Sequence, residues 1–308
     1  MKRFLSLFVA FFMVISLFGC AEKNSSVELK KNVTFQLSDV MIITNDESNS
    51  IYYYYMATIT NDSKKTYSTN NVSYKITDNK DEDIKPIDQH ESMPILSVMP
   101  EQTAYVYGYV GFPNNNQEDM GFYFKDQDEF ISFNSIDVRK ATNHDILDSE
   151  KQVYTFYEDD ALQILVNGKD CTSEFSNGTT TINNFKITYK NKTDRQIVVP
   201  YLEPQATLRG ILLTDYKDKG DFSKMSEEEL KKVDFSKKDL APKTEEIGGQ
   251  AFGYVVEYLD PEQEIECNVG FTFKNGAINY KSNDKNCIDV NLISSAFGVT
   301  NTMTVSYQ

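Results

Sequence analysis

Cysteines, carboxylates and two histidines are the side chains in this sequence that could do chemistry. Cys20 closes the most apolar stretch of the chain, whereas Cys171, Cys267 and Cys287 all lie in the second half. Those three can form at most one disulfide, leaving one thiol over. Cys267 and Cys287 flank the turn signal Asn275-Gly276 and are the preferred pair. Three reduced, buried thiols are the competing expectation. No pair has CxxC spacing, and only His90 and His144 could help, so the chain lacks the donors of a zinc site. Asp78, Asp81 and Asp83 could gather around a hard cation such as calcium. Their run lacks the glycine and terminal glutamate of an EF-hand loop, so a solvated loop is the preferred reading. GxSxG and phosphate-loop motifs are absent. The expectation is therefore no catalytic residue, no cofactor, no metal and no enzymatic activity.

The elements around Cys20 explain its placement. Lys2 and Arg3 precede an apolar run from Phe4 to Phe18, and Cys20 is followed by the polar AEKNSS. A permanent membrane-spanning helix needs about 20 apolar residues. A positive start and a shorter apolar run are instead the layout of an export signal. Leu17-Phe18-Gly19-Cys20 resembles the bacterial lipobox. That resemblance implies cleavage after Gly19 and diacylglyceryl modification of Cys20. Each buried acyl methylene would contribute about 0.8 kcal/mol to membrane attachment. An ordinary cleaved signal with an incidental cysteine, or an uncleaved anchor, are the alternatives. The expected location is the cell membrane, lipid-anchored and facing outside.

The leader carries two of the 31 basic residues and none of the 46 acidic ones, so the mature charge is (31 − 2) − 46 = −17. Such a field repels nucleic acid and other polyanions, which excludes nucleic-acid binding as the main role.

Most of the mature sequence alternates short runs rich in Val, Ile, Thr, Tyr and Phe with clusters of Asn, Asp, Gly and Lys, the pattern of strands and turns. One stretch, KMSEEELKKVDF, reads as helix, with Ser226 and Glu229 as a capping box and Glu228 and Lys232 spaced for an ion pair. Three markers recur in the same order. A strand ends in a polar turn at 52–66 and 182–196. A Pro-Glu-Gln turn enters a strand at Pro100 and Pro261. Ile-Asp-Val follows at 136–138 and 288–290. The resulting expectation is an all-β chain of two tandem immunoglobulin-like β-sandwich domains, with an OB-type barrel as the alternative. Its expected divisions are a signal peptide over 1–19, a polar tether over 20–32, a first domain over 33–141 and a linker over 142–152. A second domain follows over 153–293, with a helix-bearing insertion at 216–249, and then a tail or extra strand over 294–308. The segment KDLAPKTEEIGG within the insertion reads as loop.

Thr60-Asn61-Asp62-Ser63, the looser Tyr189-Lys190-Asn191-Lys192-Thr193, the strand NVSYKITDN ending at Asp78, and the turns at Pro100 and Pro261 carry a second resemblance. The chain resembles the Ig-like, telokin-like domains borne by Gram-positive lipoproteins. The resemblance implies an extracytoplasmic location and a binding or scaffolding role, with no catalytic residues to transfer. The insertion departs from the pattern.

Tyrosine is the remaining signal. In TAYVYGYVGF, Tyr105, Tyr107 and Tyr109 share one face of a strand. The corresponding positions of the second half are Glu264, Glu266 and Asn268, so the tyrosines should point away from their own core. The same alignment turns Tyr52, Tyr54 and Met56 outward and Tyr55, Ala57 and Ile59 inward. The two strands should be neighbours, making Tyr52, Tyr54, Met56, Tyr105, Tyr107 and Tyr109 one patch. It is a candidate contact surface for a protein or cell-wall partner; cover by the second domain or the tail is the other reading. The function these features favour is a lipid-anchored binding or accessory protein of the bacterial cell surface, acting without catalysis. A solute-binding lipoprotein of a transporter and a wall-polymer hydrolase are the alternatives.

Overall fold

A computed structural model of the chain describes residues 24–78, 84–92, 97–115, 119–146, 152–176, 179–212, 226–230, 232, 245–253, 256–273, 277–279, 287–300 and 302–308. Strands dominate the described residues. The first half contributes Ser26–Lys30 (β1), Val33–Asn45 (β2), Ser50–Asn61 (β3), Tyr67–Ser68 (β4), Tyr74–Asp78 (β5), Asp88–Ser92 (β6), Ser97–Val98 (β7), Gln102–Pro113 (β8), Met120–Phe124 (β9), Glu129–Ser132 (β10) and Arg139–Thr142 (β11). The second contributes Val153–Glu158 (β12), Leu162–Asn167 (β13), Thr172–Ser176 (β14), Thr179–Asn191 (β15), Ile197–Val198 (β16), Glu203–Leu212 (β17), Glu245–Phe252 (β18), Tyr258–Leu259 (β19), Glu264–Phe273 (β20), Ala277–Asn279 (β21), Cys287–Ser294 (β22), Gly298–Val299 (β23) and Met303–Ser306 (β24). A single helical turn, Glu227–Leu230 (α1), lies between β17 and β18. Ser226 Oγ accepts from the Glu229 amide while the Glu229 carboxylate accepts from the Ser226 amide and hydroxyl, the reciprocal cap anticipated there.

The first sandwich packs the sheet β1-β2-β3-β8-β6 against β10-β9-β5. Alternation along the strands sends Phe35, Tyr55, Val106, Phe122 and Phe124 into one buried core, which Phe133 joins from the helical turn after β10. The second sandwich repeats the sheet order as β12-β13-β15-β20-β18. There β18 leaves β20 at Gln250 and continues along β17, so one strand joins both layers. Phe185, Ile187, Val269 and Phe271 are part of its core. The architecture is all-β and sandwich-like.

The internal repeat is written in hydrogen bonds. The Asn61 side-chain amide, fully buried, donates to Lys65 O at 2.9 Å and Val98 O at 2.8 Å, and its oxygen accepts from the Ser63 amide and hydroxyl. Asn191 donates to Arg195 O at 2.7 Å and Asp260 O at 2.8 Å and accepts from the Thr193 amide and hydroxyl. Glu101 and Glu262, in the two Pro-Glu-Gln turns, both take positive φ, 62° and 57°. The short pairs β4–β7 and β16–β19 match as well. The third marker is not equivalent: Ile136-Asp137-Val138 precedes β11, whereas Ile288-Asp289-Val290 lies inside β22.

Two further expectations change, and the tail takes its extra-strand reading. Residues 26–30, assigned to the polar tether, form β1, because Val27 and Leu29 alternate onto the first core. Residues 245–249, read as loop, are the part of β18 that pairs with β17; Gly249 there accommodates the Phe273 ring, which a Cβ at that position would strike at 2.6 Å. The tail contains two strands, β23 and β24, that extend the β22 edge, and Gln308 is tied to Cys171 and Ser173.

Candidate functional site

The tyrosine face is built by the pairing of β3 with β8. Tyr54 sits opposite Tyr109, Met56 opposite Tyr107 and Thr58 opposite Tyr105. All six named residues turn away from the first core. β2 joins them through a bulge: its register with β3 shifts between Leu37 and Asp39, the inward positions change from Leu37 to Val40, and Asp39, Met41 and Ile43 are thrown onto the tyrosine side. Gly111 is the glycine this face requires, since a Cβ there would run into the Tyr52 ring.

The second sandwich covers this face. Tyr52, Tyr54 and Met56 are buried in its hydrophobic core cluster together with Met41 and Ile43, and Tyr107 and Tyr109 pack half-buried against it. Tyr105 stacks on Tyr258 at 6.2 Å and Tyr107 meets the same ring at 5.2 Å. The equivalent face of the second sandwich behaves differently. There Glu264 and Glu266 are exposed and pair with Lys190 and Lys186. One repeat therefore presents a charged, wet surface and the other a tyrosine surface used for docking.

Polar groups fix the register of docking. Asp39, fully buried, takes the Arg139 guanidinium at 2.8 Å, the Arg195 guanidinium at 2.8 Å and the Val198 amide at 2.8 Å. Arg139 also donates to Val198 O at 2.6 Å and lies 3.5 Å from Asp159. Sequence reading missed this cluster because it treated carboxylates as solvated runs. The available signal was a single acidic residue inside the apolar strand VTFQLSDVMII.

Beside this seam the two units leave a cavity of about 550 Å³. β8 supplies Tyr107, Gly108 and Tyr109, β3 supplies Tyr54 and β6 supplies His90; the second unit supplies Val198, Val199, Tyr201 and Glu257. His90 Nε2 meets Glu257 Oε1 at 2.9 Å, closing an ion pair across the gap when the imidazole is protonated. The Tyr109 hydroxyl donates to Asp88 at 3.3 Å. Burial pushes the Tyr54, Tyr109 and Tyr201 phenols above their ordinary range, so these rings are neutral at physiological pH. A smaller hollow of about 270 Å³ shares Tyr107 and Glu257 and adds Tyr258, Asp260 and Gln263. The arrangement can hold a small molecule between aromatic faces and a carboxylate.

Cys20 and the signal segment lie outside the described residues, as do Asp81 and Asp83. Among the described residues no group of three His, Cys, Asp or Glu could hold a metal ion, and no helix is long and apolar enough to cross a membrane. The possible Cys267–Cys287 disulfide is not formed: Cys171, Cys267 and Cys287 are all thiols, as in the competing reading, with Cys287 only half-buried. Cys267 faces the core from β20, whereas Cys287 opens β22, whose partners are β17, β23 and β24.

No protein-family model matches the chain, and neither does any curated protein. Among solved structures it is similar to the CupB2 chaperone of Pseudomonas aeruginosa at 10% identity, over 88% of this chain and 99% of that one, with a TM-score of 0.18. It is also similar to the serine-rich repeat protein Srr2 of Streptococcus agalactiae at 11% identity, over 89% and 93%, with a TM-score of 0.19.

Proposed function

We propose that the chain is a lipid-anchored binding protein on the outer face of a bacterial cell membrane, built of two Ig-like sandwiches and acting by contact without catalysis. The lipobox-like Leu17-Phe18-Gly19-Cys20 behind an apolar leader supports the tether. The observation that carries the binding reading is the cavity of about 550 Å³ between the two sandwiches, walled by tyrosines and bridged by His90 and Glu257. The same cavity favours a second reading, delivery of a captured solute to a membrane transporter, because a seat between two units can release its occupant when they part. Labelling cells with a clickable fatty acid tests the tether. The wild-type chain is expected to take the label and to be digested by protease added to intact cells, with Cys20→Ser losing the label. Retention of label in Cys20→Ser, or protection from the protease, overturns the proposal.

A further inference from the structure

We infer that the cavity between the sandwiches seats a small alkylammonium cation. The inference rests on the binding reading above and names its ligand class.

Tyr107, Tyr109 and Tyr201 each remain only half-buried after the two units dock, so aromatic surface is left facing the hollow. A tyrosine face carries the negative lobe of the ring quadrupole and attracts a cation within about 6 Å of its centroid. Burial holds the Tyr109 and Tyr201 phenols in their protonated form, so these rings act as faces and not as phenolates. The carboxylates add to the same field. Glu257 stands in the wall of both hollows, Asp260 in the smaller one, and Asp88 is hydrogen-bonded to Tyr109. No lysine or arginine is among the described lining residues of either hollow; the one basic side chain is His90, already set against Glu257. A mature charge of −17 biases approach in the same direction.

The geometry discriminates against other small ligands. An anion would meet Glu257 and the ring faces with no compensating cation beyond His90. A sugar needs several fixed donors and acceptors around its ring hydroxyls, and Gln263 is the single amide side chain among the described lining residues. An alkylammonium group needs what is present: apolar contact for its methyl groups from Val198 and Val199, ring faces, and one carboxylate.

The test is calorimetric titration of the full chain in detergent with choline and with dimethylbutanol, its uncharged carbon analogue of the same shape. Choline is expected to bind saturably and dimethylbutanol at least about tenfold more weakly, a difference of about 1.4 kcal/mol. Glu257→Gln, which retains a hydrogen-bonding group for His90, should weaken choline by about tenfold. Tyr201→Leu, which keeps apolar bulk and removes the ring face, should weaken choline and leave dimethylbutanol unchanged. Thermal melts on both variants establish that the fold persists. The inference is overturned if choline fails to saturate, if dimethylbutanol binds equally well, or if N-acetylglucosamine binds where choline does not. A chain shown to be surface-exposed that fails to bind choline refutes the cation alone; a chain shielded from added protease refutes the functional reading whatever the titration gives.

Discussion

Asp39 and Arg139 meet at 2.8 Å beneath the seam between the sandwiches, the carboxylate fully buried and the guanidinium side chain 9% exposed. Removing one member of such a pair leaves the other charged and desolvated, which costs about 3–5 kcal/mol. Asp39→Ala should therefore lower the denaturation midpoint strongly. Arg195→Ala, whose side chain is 42% exposed, should cost less than about 1 kcal/mol. Chemical denaturation of both variants checks the contrast; equal losses would show that the seam does not depend on Arg139.

Asn61 and Asn191 test the repeat. Each amide nitrogen donates to two backbone carbonyls. Asn61→Asp would set a carboxylate oxygen against Lys65 O and Val98 O and should destabilise at least as much as Asn61→Ala, by about 2–4 kcal/mol. The same ranking should hold at Asn191. A neutral Asn→Asp change at either site, read by thermal melting, would contradict the geometry.

The Tyr54 hydroxyl is buried beside Ser294 without a well-aligned hydrogen bond. Tyr54→Phe removes that unsatisfied group while keeping the ring against Tyr109 at 5.0 Å. It should leave stability unchanged or raise it by up to about 1 kcal/mol. Met56→Ala, in the same buried face, should cost about 2–5 kcal/mol through the cavity it leaves. A destabilised Tyr54→Phe variant would reveal a partner for the hydroxyl.

Alkali should unfold the chain through its tyrosines. Burial pushes Tyr53 from its ordinary value of 10.0 up to about 12, and Tyr54, Tyr55 and Tyr189 upward as well. A folded-state value above the unfolded one means that the neutral phenol is favoured by folding. This stability is fully present below pH 10 and is lost as pH rises from there through the folded value. The tyrosinate absorbance of these buried rings should appear together with loss of the circular dichroism signal above pH 10; complete tyrosinate absorbance with the fold intact would show them to be accessible.

Thiol reactivity should rank by position. Burial pushes Cys171 up to about 12 and raises Cys267, both of which face the second core. Cys287, at the start of β22, is only half-buried. Alkylation of the native chain at neutral pH should modify Cys287 first, with the other two following only on unfolding. Mass spectrometry of the alkylated chain checks the order.

Much of the strand architecture was legible because a period of two is a local property. The inward phase of Tyr55, Ala57 and Ile59 and the pairing of the tyrosine strands could be read from alternation and from the match between halves. The repeated Asn corner was legible through a spacing of 130 residues, 61 against 191. What covers the tyrosine face was not, because both readings put the same residues on the same side of the strand and differ only in what packs against them. Asp39 was missed for a similar reason: its partners Arg139 and Arg195 lie 100 and 156 residues away, and a bulge decides which side it faces. The Ile-Asp-Val marker failed because three residues of strand-forming type fit equally well just before one strand and inside another.

β11 runs parallel to β2, with Arg139 through Thr142 matched to Met41 through Thr44. These two strands lie near opposite ends of the first sandwich's sequence. A force pulling those ends apart would slide the strands lengthwise past one another, so every rung of the ladder would bear load together. Antiparallel neighbours tugged from a shared end open rung by rung instead. Stretched this way, the pairing of Arg139–Thr142 with Met41–Thr44 would be loaded in shear.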